Sequence, residues 1–171
     1  VAFNVGKLSS LQMLYASGDP SLNFSKNDST TFFNAQHELV SHKALNKHVS
    51  SMSVYLNNKE YIVSDYGTIT LESFCQSVFN MDSVSFKDYL DSLSLGYSLY
   101  VPQSDSAETS SSLQSICILP LRNGTGRQYG FLFLFLNDAQ ILKELDAAVG
   151  AHMEYFIVNK DQTLLFSSSD K

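Results

Sequence analysis

The residues with the clearest potential for chemistry lie in a polar stretch near the amino terminus, which contains His37, Glu38 and His42. A zinc-protease helix carries two histidines four residues apart, because that spacing places both imidazoles on one helix face. Here the spacing is five residues, and His48, further along, brings no obvious third ligand. The pattern favours a solvated side of a helix, and we predict neither a bound metal nor a cofactor.

The two cysteines, Cys75 and Cys117, are the other candidate reactive groups. A cysteine nucleophile needs a histidine beside it, and every histidine falls in a predicted helix or helix end. Cys117 lies in an apolar strand, where a thiol behaves as a small hydrophobic side chain. Whether the two cysteines form a disulfide stays open. The chain also lacks the Gly-rich phosphate-binding and Gly-x-Ser-x-Gly motifs, so we predict that it is not an enzyme.

The composition limits the partners that the chain can have. The net charge is −6, whereas a nucleic-acid-binding surface needs a basic patch. Apolar residues make up 44% and charged residues 16%, which indicates a folded globular chain. No apolar run approaches the roughly 18 residues that a membrane-spanning helix needs. We therefore expect no nucleic-acid partner, and membrane attachment only through segments outside this sequence.

The segment after Gly130 indicates where the centre of the fold lies. Phenylalanines at 131, 133 and 135 alternate with leucines at 132, 134 and 136. Because successive side chains of a strand point to opposite faces, this strand is apolar on both faces. A strand of that kind belongs in the middle of a sheet that is covered on both sides.

The remaining periodicity predicts an α+β fold with a single antiparallel five-stranded sheet. Helices are expected over 5–16, about 29–50, 71–79, 85–93 and 139–149, and strands over 52–57, 61–64, 96–101, 115–121 and 127–136. A last hairpin is expected over 153–166. The second helix would be roughly 30 Å long, which is enough to cross the whole sheet.

Two predicted strands each have an apolar face and a mixed face. The apolar faces carry Met52, Val54, Leu56, Ile116 and Ile118, and we expect all five to pack on the long helix. The mixed faces carry Ser53, Tyr55, Ser115 and Cys117, and would look toward the short helices and the Ser-rich stretch 104–112. Polar groups on such a covered face are typical of a small-molecule pocket. Alternatively, they are hydrogen-bonded core residues or face water.

The chain resembles a Cache domain in the order of its segments, which read SVYLNNKEYIVSDYG, GYSLYVP, ICILPLRNGTGRQYGFLFLFLNDAQIL and YFIVNKDQTLLFSSS. Cache domains are PAS-like extracytoplasmic ligand-binding domains of bacterial transmembrane receptors, including histidine kinases and receptors with AraC-type regulator outputs. The resemblance covers nearly the whole chain and rests on no catalytic motif. It implies a PAS-like sheet with the long N-terminal helix on one face and short helices and loops over the other.

The resemblance also implies two modules and a ligand site. Residues 1–150 would form the N-terminal helices and the membrane-distal module, and 151–171 the start or a remnant of a second module. The implied ligand-binding residues are Tyr97, Tyr100, Ser115, Cys117, Asn137 and Asp138, and the mixed face of its own strand adds Tyr55 to the predicted site. Relatives that bind amino acids use an arginine and a tryptophan in the pocket wall. This chain has no tryptophan and no arginine before residue 122, so an arginine-held amino acid is not expected.

Two functions follow from this reading of the sequence. The first is an extracytoplasmic sensor domain of a bacterial receptor that acts in signal transduction and transcription regulation, with a small molecule bound in the PAS-like pocket. The second is a ligand-free interaction module that forms a homodimer through its N-terminal helices.

Overall fold

The computed structural model of the chain describes residues 9–17, 26–93, 98–100, 114–149, 156–158 and 164–167. The helices are α1 (Ser9–Ala16), α2 (Lys26–Ala44), α3 (Leu71–Phe74), α4 (Ser83–Ser92) and α5 (Asp138–Val149), with a π-helical turn (Cys75–Phe79) after α3. The strands are β1 (Val49–Leu56), β2 (Tyr61–Ser64), β3 (Gly67–Thr70), β4 (Ser98–Tyr100), β5 (Ile116–Arg122), β6 (Gln128–Leu136), β7 (Phe156–Val158) and β8 (Leu164–Ser167). No helix among these residues is both long and apolar enough to cross a membrane.

Six strands form one antiparallel sheet in the order β3-β2-β1-β6-β5-β4, and β7 pairs with β8 separately. The α+β class and the antiparallel sheet are confirmed, but the predicted number of five strands is wrong. The sixth strand is β3, which pairs with β2 from Tyr61 opposite Thr70 to Ser64 opposite Gly67. The sequence pattern predicts only that Gly67 closes the preceding hairpin.

The central position of β6 is confirmed. It lies between β1 and β5, and its residues from Tyr129 to Leu134 are buried. Leu132 and Leu134 belong to the core on one face, whereas Phe131 and Phe133 belong to the core on the other. Each face therefore has its own set of covering helices.

Helices α1 and α2 cover the leucine face. Their buried apolar residues are Leu11, Leu14, Phe32, Ala35 and Leu39, which join Met52 and Val54 in one core. Helix α2 ends at Ala44 and not near residue 50 as predicted. The reason is a turn at Asn46, whose carbonyl accepts from the Val49 amide at 3.0 Å and whose side chain accepts from the His48 amide at 3.2 Å.

Helices α3 and α4 and the π-helical turn cover the phenylalanine face, on which Tyr55, Ile116 and Ile118 also lie. The prediction that Ile116 and Ile118 pack on the long helix is therefore wrong. The strand register gives the reason, because residues paired across neighbouring strands share a face. Ile118 is paired with Phe133, whereas Met52 is paired with Leu134.

Asp65 connects α2 to the sheet from the turn after β2. Its carboxylate accepts hydrogen bonds from Lys43 Nζ, from Ser51 Oγ at 2.6 Å and from the Met52 amide at 3.0 Å. Its carbonyl accepts another from Gln36 Nε2 at 3.2 Å. Burial alone raises the pKa of a carboxyl group, but these donors outweigh it and hold the pKa of Asp65 below its usual value.

Asp65→Asn is expected to lower the free energy of unfolding at neutral pH by about 1.5–3 kcal/mol, because bonds to a charged group are lost and an amide NH2 faces Lys43. The pKa of Asp65 is lower in the folded state, so its contribution is present above the unfolded pKa of about 3.9 and is lost as the pH falls through the folded pKa. Urea unfolding of the original protein and of Asp65→Asn should show that the difference between their free energies of unfolding becomes smaller as the pH falls from about 5 to about 2.

The matched control is Asp88→Asn, which changes an exposed aspartate on α4. It should leave stability within about 0.5 kcal/mol of the original protein. A deficit in Asp65→Asn that stays constant across the pH range would contradict the role of the ionised carboxylate.

Candidate functional site

A cleft of about 260 Å³ opens at the end of the sheet where β1 ends and β6 begins. Because β1 and β6 are antiparallel neighbours, the turn after β1 and the turn before β6 lie side by side. The first turn contributes Asn57 and Asn58 to the cleft, and the second contributes Arg127 and Gln128.

The backbone fixes the two asparagines. The Asn57 amide donates to the Tyr129 carbonyl at 2.9 Å, which extends the β1–β6 pairing beyond the strand end. Asn58 has a φ of 66°, a left-handed conformation that asparagine tolerates better than most residues. The Lys59 amide closes the turn by donating to the Leu56 carbonyl at 3.1 Å.

The turn before β6 is held by the side chain of Asn123. Its Oδ1 accepts from Thr125 Oγ1 at 2.7 Å, from the Thr125 amide at 3.1 Å and from the Arg127 amide at 2.9 Å. Gly126 adopts a φ of 81°, which a residue with a side chain would rarely take. These contacts fix the backbone of Arg127, whose side chain is exposed at the edge of the cleft.

The floor of the cleft consists of Tyr55, Leu90 and Phe131, which present little surface to it, so the accessible lining is mainly polar. All three are buried, with Tyr55 exposed by 4%. Burial raises the pKa of the Tyr55 phenol, and a hydrogen bond from the Asn58 backbone partly offsets this effect. The phenol is therefore neutral at physiological pH.

Helix α4 forms the charged wall with Lys87 and Asp91, which are one helical turn apart. The start of this helix is capped by Asp82, whose Oδ1 accepts from the Val84 and Ser85 amides at 2.9 Å each. On the opposite side, Tyr15 of α1 lines the cleft and packs 5.6 Å from the ring of Tyr129.

Of the predicted ligand-binding residues that the structure describes, only Tyr55 lines this cleft. Tyr97 and the stretch 104–112 lie outside the described residues. Tyr100 packs with its ring centre 4.7 Å from that of Phe79, and burial raises its pKa. Cys117 packs with the core on the leucine face, opposite to the face on which it was expected.

Ser115, Asn137 and Asp138 lie together at the far end of β6. Asp138 Oδ2 accepts from the Ser115 amide at 2.9 Å, and burial raises the pKa of Asp138. The Asn137 amide donates to the His48 carbonyl at 2.8 Å, and its Oδ1 accepts from the Gln140 amide at 3.2 Å. These contacts join the start of α5 to the sheet, and none of the three residues lines the cleft.

Both cysteines are free thiols on opposite faces of the sheet. Burial raises the pKa of Cys75 to about 12 and also raises that of Cys117. A thiol with a raised pKa carries little thiolate, which is the reactive form. The described part of the chain contains no group of three His, Cys, Asp or Glu residues arranged to hold a metal ion.

Sequence reasoning missed most of the cleft, including Asn57, Asn58, Lys87, Asp91 and Arg127. Both turns were visible as turn signals in the sequence, at 57–60 and 123–126. What was missing was the pairing of β1 with β6, two strands that are far apart in the chain.

The cleft is suited to binding a small polar molecule. Its volume is slightly below the roughly 300–1,000 Å³ of pockets for drug-sized ligands. It combines an apolar floor with amide and charged groups at the edge, and its described lining contains no histidine, serine or cysteine. In comparisons with known proteins, no family model and no curated protein matches the sequence.

Proposed function

We propose that the chain is a small-molecule-sensing domain of the PAS-like Cache type, and that its ligand binds in the cleft beside Tyr55. The observation that carries the proposal is the cleft itself, in which two turns and one helix bring polar groups together over a buried aromatic floor. The antiparallel sheet with helices on both faces also supports it, because the resemblance implies that layout.

In this proposal the domain is the distal module of a bacterial membrane receptor and lies outside the cytoplasmic membrane. Residues 1–150 form that module, and 151–171 begin a second one. The ligand site differs from the position that the resemblance implies, which is between the sheet and the wall formed by the strand and loops after the short helices. In the described residues, Phe74, Phe79 and Phe86 occupy the space between the sheet and the short helices.

A specific observation favours a second candidate, the ligand-free homodimer. The exposed surface of α2 carries Phe33 at 67% exposure and Val40 at 37%, which are seven residues apart and lie on the same side of the helix. Together with the aromatic filling of the other face, this favours a module whose interface is its N-terminal helices. Sedimentation equilibrium tests the second candidate, because the interaction module requires a dimer and the sensor does not. A monomeric chain would exclude the homodimer.

The sensor proposal predicts that one compound from a panel of sugars, sugar acids, organic acids, amines and nucleobases raises the melting temperature. At a concentration of about 100 Kd, binding adds about 2.7 kcal/mol, which for a chain of this size corresponds to roughly 5–10 °C. Asp91→Trp should abolish the shift, because the exposed position on α4 lets the indole fill the cleft.

The matched control is Asp88→Trp, on the same helix and also exposed, but outside the cleft lining. The ligand should raise the melting temperature of this variant as much as it raises that of the original protein. The proposal fails if no compound stabilises the protein, or if Asp91→Trp responds as strongly as Asp88→Trp.

A further inference from the structure

Among the described residues, the charged groups at the cleft form no ion pair with one another or with a neighbour. Arg127 and Lys87 contribute two cations and Asp91 one carboxylate. Within the described part of the chain, the Lys–carboxylate ion pairs join other residues, namely Lys43 with Asp65 and Lys47 with Glu144. The two cations exceed the one carboxylate, so the cleft lining carries a net positive charge in a chain whose net charge is −6, and this favours an anion over a cation.

Arg127 is the group best placed to select the type of anion. A guanidinium group binds a carboxylate through two parallel hydrogen bonds, and this geometry distinguishes it from a point charge. The Asn123 contacts fix the Arg127 backbone before any ligand arrives. On binding, only the side chain of Arg127 then has to be ordered, since its backbone is already fixed. Lys87 supplies the second positive charge from the α4 wall.

The remaining polar groups point to hydroxyl groups on the ligand. The carboxamides of Asn57, Asn58 and Gln128 each offer donors and an acceptor, whereas an ionised Asp91 only accepts. A hydroxyl group donates and accepts at once, so a row of hydroxyls matches this set. An ammonium group has no acceptor, and would leave the amide NH2 groups without partners.

We propose that the cleft binds a small hydroxylated carboxylate of the sugar-acid class, an inference that rests on the proposed sensor function. Arg127 and Lys87 bind the carboxylate, and the carboxamides and Asp91 bind the hydroxyls. The cleft volume of about 260 Å³ suits one monosaccharide unit and not an oligosaccharide.

The test is calorimetric titration of the chain with D-glucuronate, D-galacturonate and D-gluconate. Glucose and galactose serve as uncharged counterparts, and hexanoate as an acid without hydroxyls. At least one sugar acid should bind about tenfold or more tightly than its uncharged counterpart and than hexanoate. Arg127→Lys should weaken the binding of that sugar acid, and Arg127→Gln should weaken it further, by about tenfold or more.

The control is Lys143→Gln, which removes an exposed positive charge on α5, outside the cleft. It should leave sugar-acid affinity unchanged. Equal affinity for charged and uncharged sugars, equal binding of hexanoate, or no effect of Arg127→Gln would overturn the ligand class. If instead another compound of the wider panel binds and Asp91→Trp blocks it, the sensor proposal stands without this inference. If nothing binds, both fail.

Discussion

Gly130→Ala is expected to lower the free energy of unfolding by about 3 kcal/mol or more. A Cβ atom at this position would lie 2.2 Å from the Tyr55 carbonyl oxygen and 3.2 Å from the Leu56 Cα. Both atoms belong to the backbone of β1, which cannot move away without breaking its pairing with β6. Urea unfolding measures the loss, and we expect the midpoint to fall or the protein to be recovered unfolded.

Gly124→Ala is the matched control, because the same change there meets no atom within 4 Å and the residue has no positive φ. It should alter the free energy of unfolding by about 0.5 kcal/mol or less. Similar stability of the two variants would show that β1 and β6 are not as close at Gly130 as the structure has them. The cleft depends on this approach, since Tyr55 and Phe131 of its floor come from the same two strands.

The parts of the fold that the sequence predicts well are those with a local signal. The alternation of phenylalanine and leucine after Gly130 predicts a central strand, and β6 is buried on both faces. The antiparallel sheet follows in the same way from the hairpins. The alternation of side chains between two faces is a property of a single strand, so it can be predicted without knowing which strands lie beside it.

The errors concern pairings between distant segments. The sequence gives two faces for the strand containing Ile116 and Ile118, but not which face meets which helix. That choice depends on the register with β6, where a slip of one residue exchanges the faces. Strand β3 is missed because it has one apolar residue among its four, whereas the equally short β2 has three.

The candidate site shows the same division. Tyr55 was predicted from the mixed face of its own strand. Arg127 and Lys87 could not be predicted in this way. Arg127 reaches the cleft because β1 pairs with β6, and Lys87 reaches it because of how α4 packs on the sheet. Binding residues that come from separate turns and helices leave no spacing pattern in the sequence.

Phe133→Ala tests whether the space between the sheet and the short helices is a solid core or a ligand pocket. Phe133 is 0% exposed, and its ring centre lies 5.4 Å from that of Phe74 and 5.9 Å from that of Phe79. Removing a fully buried ring from such a core costs about 3–5 kcal/mol, because burial is lost and a cavity remains. Urea unfolding should show this loss. Phe33→Ala, at an exposed position on α2, should change stability by about 0.5 kcal/mol or less.

Refilling the cavity separates the two possibilities further. Apolar cavities left by large-to-small substitutions stay dry and bind benzene, so benzene should raise the melting temperature of Phe133→Ala and leave the original protein unchanged. That result would mean that the phenylalanine face is closed by its own side chains, and that a ligand must use the cleft beside Tyr55. If Phe133→Ala were instead as stable as the original protein, the rings of Phe74 and Phe79 would not form a packed core with Phe133. The position between the sheet and the short helices would then be the better candidate for the ligand.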